Sequence, residues 1–232
     1  MKVLAVIPAR GGSKRIPGKN IRELCGTPMI VYTIQAALNS GIFSKVIVST
    51  DCKKTATISE ECGAEVPFLR GPDLSDDLTP VSLATLDTLN RLDPEGSKFS
   101  NIIQLMPNCP LRTAEEIKNA YLNFSNSGAD CMISVTRYGW SNPWWAMEMD
   151  QRSGLSPIFR NRLNERSQDL PELFCPTGAI WLAKAKTLRD HKTFHIDGRI
   201  GYVMSWENAI DIDDEDDWSL AELLMNQKKM SG

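Results

Sequence analysis

Residues 10–20 read RGGSKRIPGKN, a stretch whose side chains suit a phosphorylated ligand. Arg10, Lys14, Arg15 and Lys19 bring four positive charges into eleven residues. Arginine offers a planar fork matched to phosphate oxygens and lysine a mobile point charge, so the cluster fits a polyphosphate better than a single carboxylate. Gly11 and Gly12 have no side chain to hold an anion away, and their backbone N–H groups can turn toward phosphate oxygens. The spacing is not that of a P-loop: Ser13 stands where the first glycine belongs, and Asn20 replaces the metal-binding hydroxyl after Gly18-Lys19. No G-x-G-x-x-G occurs here, so a dinucleotide fingerprint is excluded as well. Far along the chain, Asp211 and Asp213 alternate with Ile210 and Ile212. An extended chain turns both carboxylates to one side and both isoleucines to the other. Two close carboxylates repel unless a proton or cation lies between them. Mg2+ suits such a pair, because it commonly uses one or two carboxylates together with substrate phosphates and waters.

The elements that must position these groups follow from periodicity. Val3 to Pro8 is a short aliphatic run of the kind buried on both faces of a parallel sheet. Pro28 begins a helix to about Ser40, with Ile30, Ile34, Ala37 and Leu38 on one face and Gly41 as a stop, and Lys45 to Ser49 reads as the next strand. A second helix, capped by Thr50 or Asp51, is expected to end near Gly63, before a short strand over 65–69. Residues 70–80 form a loop, a helix follows to about Leu92, and Asn101 to Leu105 is a strand. Thr113 and Glu116 are spaced as a capping box for the following helix. Further strands are expected over 130–136, 178–183 and 200–205, and Asp214 to Asp217 open a C-terminal helix whose dipole favours acids. Strands alternating with helices predict an α/β domain with a doubly wound, mostly parallel sheet, which binds ligands outside the carboxyl ends of its strands.

Between the strand at 130–136 and about Leu170 regular periodicity is lost. Trp140, Trp144, Trp145 and Phe159 lie there among arginines, a composition typical of protein interfaces. Two readings stand, an ordered hairpin packed on its own domain and an intersubunit arm over about 137–170, hence a homodimer.

The chain's 232 residues and 42% hydrophobic content suffice for one domain with a sizeable core. A net charge of −3 excludes general nucleic-acid binding and makes the basic stretch a local device. The apolar run after Met1 is too short for a signal peptide, and no segment is long enough to span a bilayer. Six scattered cysteines without a C-x-x-C pair read as reduced thiols of a cytoplasmic protein. His191 and His195 sit four apart without the intervening glutamate of H-E-x-x-H and are not read as metal ligands.

R-G-G-S-K-R-I-P-x-K-N after an N-terminal strand resembles the signature of the acylneuraminate cytidylyltransferase family. The similarity recurs in Val48 to Asp51 (VSTD), Pro107 to Thr113 (PNCPLRT), Cys175 to Trp181 (CPTGAIW) and Ile210 to Asp213 (IDID), and so covers nearly the whole chain. The resemblance implies a nucleotidyltransferase that condenses CTP with an acidic nine-carbon sugar of the sialic, pseudaminic or legionaminic type, giving the CMP-sugar and pyrophosphate. It implies that Arg10, Gly11, Gly12, Ser13 and Lys19 hold the triphosphate. Asn20 and Arg70 would contact the nucleoside, with Ser82 near the base, and Asp211 and Asp213 would bind Mg2+. Arg166 and Gln168 lie near the positions from which family members reach the sugar. The resemblance also favours the intersubunit arm over the self-packed hairpin, and with it the homodimer. The chain departs from the family's common L-Q-P-T-S-P-L-R, carrying Met106 for the glutamine and Asn108-Cys109 for Thr-Ser, which bears on the identity of the sugar. Other readings are an enzyme for another sugar or a sugar 1-phosphate, and a non-catalytic nucleotide-binding module.

Overall fold

A computed structural model describes residues 2–231 apart from Asp77 and Trp140. Strand β1 (Val3–Pro8) is buried along its whole length. Val3, Ala5 and Ile7 enter one apolar cluster while Leu4 and Val6 enter another, so the strand is covered on both faces. The basic stretch leaves its carboxyl end, closes with a 3-10 turn at Lys19–Ile21, and runs into a small hairpin of β2 (Glu23–Leu24) and β3 (Thr27–Pro28). Helix α1 (Met29–Ser40) ends at Gly41, whose left-handed φ of 68° lets the chain turn back into β4 (Lys45–Ser49). Then come α2 (Lys53–Glu61), α3 (Val81–Leu92), β5 (Asn101–Gln104), α4 (Ala114–Ser127) and β6 (Cys131–Arg137). The hairpin β7 (Met147–Met149) and β8 (Leu155–Pro157) precedes β9 (Phe174–Lys184), α5 (Ala185–His191), β10 (Ile200–Val203) and α6 (Glu215–Ser231).

The six-stranded sheet has the order β10-β6-β9-β5-β1-β4. β1 pairs parallel to β4 and β5, and β6 parallel to β10; β9 alone runs antiparallel, to both β5 and β6. α1 and α4 cover one face, and α3 and α5 the other. From β1 the chain goes outward to β4, whereas from β5 it goes the opposite way, to β6. The carboxyl ends of β1 and β5 therefore flank a crevice at a topological switch point.

A third apolar cluster joins Ile16 of the basic stretch, Leu24 and Met29 to Ile212, Trp218, Ala221 and Leu224. It fastens α6 and the acidic segment to the loop after β1.

Several local expectations are corrected. Only Glu65 of the strand expected over 65–69 pairs, as a single bridge to Ile47. Pro67 lacks the N–H a ladder would need. Neither Thr50 nor Asp51 caps α2; Cys52 holds that position without a side-chain bond. His195 lies past the end of α5 against the Trp181 ring, so it and His191 do not share a helix. The aromatic excursion contains the β7–β8 hairpin rather than only irregular chain. Trp140 falls outside the described residues. Trp144 is not left bare: it packs edge-on to Phe159 at 5.1 Å and donates its indole N–H to the Pro171 carbonyl at 2.8 Å. The capping box stands as expected, with Thr113 Oγ1 accepting from Glu116 N and the Glu116 carboxylate accepting from Thr113 N. All six cysteines are free thiols. Among the described residues no helix is long and apolar enough to cross a membrane.

Candidate active site

A cavity of about 430 Å3 opens at the carboxyl ends of β1 and β5. Its wall is Pro8, Arg10, Ser13 to Ile16, Lys19 and Asn20 on one side, and Met106, Pro107, Asn108 and Asp213 on the other. A smaller adjoining cavity of about 230 Å3 shares Pro8, Arg10 and Met106 and adds Arg70, Leu74, Asp76, Thr79, Val81 and Ala84.

The basic stretch is held from beneath on both flanks. Asn20 is buried, and its Nδ2 donates to the Arg10 carbonyl at 2.9 Å. Asp51 Oδ1 accepts the Gly11 N–H at 2.8 Å. Gly11 also lies so close to α2 that a Cβ there would meet Cys52 Cβ at 2.8 Å. These contacts correct the sequence reading: the Gly11 N–H is spent on Asp51, and the glycine is needed for close approach rather than for an anion. A Cβ at Gly12, by contrast, would meet nothing within 4 Å. Asn20 is likewise a brace for the loop.

Lys19 extends across the cavity floor, donating to the Ile212 carbonyl at 2.6 Å and to Asp213 Oδ1 at 3.2 Å. Arg15 reaches the other Asp213 oxygen at 2.9 Å. Burial works against the Asp213 charge, but Lys19 and Arg15 outweigh it and hold the carboxyl below the ordinary carboxylate range. Asp211 has no such cation in contact. Burial, then the charge of Asp213, pushes its carboxyl up to about 6. Its Oδ1 accepts from Asn108 Nδ2.

The acidic pair lies beyond the last strand of the sheet. β10 stops at Val203, a turn runs over 206–209, and the pair follows in extended chain whose Ile212 N–H donates to the Asn108 carbonyl at 2.8 Å. The alternation nevertheless holds, because Ile212 is fully buried in the third apolar cluster while Asp211 and Asp213 face outward. Asp214 belongs to the helix cap: its Oδ1 accepts from Asp216 N and Asp217 N, both at 3.0 Å.

β9 closes the back of the site. Its pairing with β6 is irregular between Ile133 and Val135, where Thr177 and Ser134 bond at 2.7 Å. This brings Gly178 against Met106, whose N–H donates to the Gly178 carbonyl at 3.3 Å. A Cβ on Gly178 would stand 3.0 Å from Met106 Cγ and 3.3 Å from Asp211 Oδ2. Arg112, buried beneath, donates to the Met106 and Ala179 carbonyls at 3.2 Å and 2.6 Å and ties the loop after β5 to β9.

Arg70 is buried in the smaller cavity's wall, with Nε donating to Ser75 Oγ at 3.1 Å. Burial lowers its pKa. Ser82 is buried in α3 but does not line that cavity; Val81 and Ala84, three apart on one helix face, do. Arg166 and Gln168 are not brought to the site: both are exposed, and Gln168 lines a separate cavity with Arg137 and Pro171. Asp51, Asn108 and Gly178 were not assigned from sequence, although each lies in a motif that carries the family resemblance.

Among the described residues no group of three or more histidines, cysteines, aspartates or glutamates could hold a metal. Two carboxylates beside a buried amide oxygen without a partner, Asn108 Oδ1, do fit a cation whose remaining ligands come from phosphates and water.

The cytidylyltransferase family model matches residues 4–196. The chain is 36% identical to the CMP-N,N'-diacetyllegionaminic acid synthase of Legionella pneumophila, over 97% of both chains. It is 30% identical to the pseudaminic acid cytidylyltransferase of Campylobacter jejuni, over 97% of this chain and 96% of that one. Against the N-acylneuraminate cytidylyltransferase of Streptococcus agalactiae the identity is 32%, over 94% of this chain and 52% of the relative. A solved CMP:2-keto-3-deoxy-manno-octonic acid synthetase, complexed with CTP, superposes with a TM-score of 0.73 at 15% identity, covering 98% of this chain and all of that one.

Proposed function

The chain belongs to the cytidylyltransferase family, and from that premise we propose that it joins CTP to an acidic nine-carbon sugar of the sialic, legionaminic or pseudaminic class. The sugar's anomeric oxygen attacks the α-phosphorus of CTP; the new P–O bond forms as the bond to the β-phosphate breaks, pyrophosphate leaves, and the hydroxyl proton passes to solvent. The observation that carries this reading is the meeting, across one cavity at the sheet edge, of a basic loop from the start of the chain and Asp213 from its end, with Asp211 held alongside by Asn108.

Reactions of this kind ask a protein chiefly for positioning and charge neutralisation. Arg10, Lys14, Arg15 and Lys19 supply positive charge where the triphosphate would lie, with Ser13 beside them. The smaller cavity with Arg70 suits the nucleoside. Asp211 and Asp213 would hold Mg2+, which when bound offsets phosphate charge and makes a coordinated hydroxyl more acidic. With a cation held there, Lys19 and Arg15, now on Asp213, would be free to turn to the phosphates.

A second copy of the chain is part of the proposal. Met149, Leu155 and Ile158 of the excursion are 69%, 60% and 52% exposed, and Val203 and Trp206 beside the β10 edge are also open. A cytoplasmic setting accords with the six free thiols.

Pyrophosphate release from CTP with sialic, legionaminic, pseudaminic and ketodeoxyoctonic acids, and with a sugar 1-phosphate, tests the activity. Turnover with at least one nine-carbon acid is expected. Turnover only with a sugar 1-phosphate, or with none, would overturn it.

A further inference from the structure

Asn108 meets the acidic segment at two points, as no other residue of the loop after β5 does. Its backbone carbonyl accepts the Ile212 N–H at 2.8 Å, and its side-chain Nδ2 donates to Asp211 Oδ1. The residue is 8% exposed, and its Oδ1 is buried without a hydrogen-bond partner. The amide orientation is fixed by chemistry, since turning the oxygen toward the carboxylate would set two acceptors against each other. A buried polar atom left unpaired is costly, which calls for a ligand that satisfies it. Asn108 lines the same cavity as Asp213 and Lys19.

We propose that Asn108 is a positioning residue for the cation site: its amide N–H fixes the Asp211 carboxylate, and its amide oxygen accepts from a water held by the divalent cation. The inference rests on the proposed metal-dependent reading of the Asp211 and Asp213 pair. Mg2+ retains several of its waters in protein sites, and those waters are hydrogen-bond donors. A neutral amide can orient a carboxylate on one side and receive a water on the other without adding charge. A threonine or serine here has a shorter reach and a single polar atom for both tasks. Groups that orient a metal's ligands typically matter by about 10- to 100-fold in metal affinity.

The test uses Mn2+ as the probe, read by electron paramagnetic resonance in the presence of a non-hydrolysable CTP analogue, so that no turnover is needed. Asn108→Ala is expected to bind Mn2+ about 10-fold or more weakly than the wild-type chain. Its affinity for CTP in EDTA, measured by calorimetry, should stay within about twofold, because the residue carries no charge toward the phosphates. Unchanged Mn2+ affinity would overturn the inference while leaving the metal-dependent reading intact. A parallel loss of CTP affinity in EDTA would also overturn it, since that is the mark of a collapsed loop. Absence of Mn2+ binding by the wild-type chain itself would remove the metal reading and this inference together. Should Asn108→Ala prove unfolded by circular dichroism, Asn108→Leu, which keeps the volume and deletes both polar atoms, is held to the same outcomes.

Discussion

Asp51 and Asp211 are both carboxylates of the site and do opposite work. Asp51 accepts the Gly11 amide and so holds the basic loop in shape before any ligand arrives. Asp51→Ala should raise the KM for CTP about 10-fold, the worth of roughly one hydrogen bond to a charged group, with kcat little changed. Asp51→Asn keeps an acceptor and should restore most of the loss; equal impairment of both variants by steady-state kinetics would refute the brace. Asp211, in contrast, is held against its preference. Its folded pKa of about 6 lies above the usual carboxylate value, so the folded state binds this proton more tightly than the unfolded one, and stability falls as pH rises from about 4 to 6. A shift of that size corresponds to about 3 kcal/mol at full value, but one side of the carboxylate is open to solvent, which reduces the expected effect to about 1 kcal/mol. Asp211→Asn should therefore be about 1 kcal/mol more stable at pH 7, with the advantage gone near pH 4, and should lose most turnover. A thermal melt showing no gain at pH 7, or normal turnover, would count against this account. Lys19 and Asp213 were legible in the sequence because charge type and spacing alone single them out. Asp51, Asn108 and Gly178 were not, because each acts through a contact at least 33 residues away in the chain.

The elements were legible where one physical signal dominated. β1, α1, β4 and the capping box of α4 were read from aliphatic runs, a glycine stop and a Thr-x-x-Glu spacing, and each stands. The segment 65–69 failed because Pro67 interrupts a short apolar run, and Ser82, named by the family resemblance, is buried in α3 while Val81 and Ala84 line the cavity. The antiparallel sense of β9 also lay outside the alternating pattern, since no periodicity reports strand direction. The acidic segment has no ladder partner and depends instead on one buried anchor, Ile212, packed with Ile16 and Trp218. Ile212→Ala should cost about 2–4 kcal/mol by denaturant unfolding. It should also lower activity by more than the unfolded fraction explains, because both flanking carboxylates lose their fixed point. A stability loss with fully proportional activity would show that the anchor does not position them.

At the scale of the whole molecule, the excursion presents exposed apolar residues, and the β10 edge is the edge of the sheet opposite β4. Light scattering at micromolar concentration should give the mass of two chains, and a monomer would reject the proposed dimer. The sheet order has a further consequence, for the growing chain. β4, β1 and β5 are contiguous in space and complete by Gln104, so that half of the sheet can assemble early. β6 cannot join it, because its place is two strands away and the gap is filled only by β9, which ends at Lys184. At about 5–20 residues per second of synthesis, β6 waits several seconds on the ribosome with neither neighbour, and β5 waits with an unpaired edge. Such edges invite association between nascent chains. The cell must bridge that interval, and a ribosome stalled inside the excursion would present β5 and β6 to chaperones as two open strands.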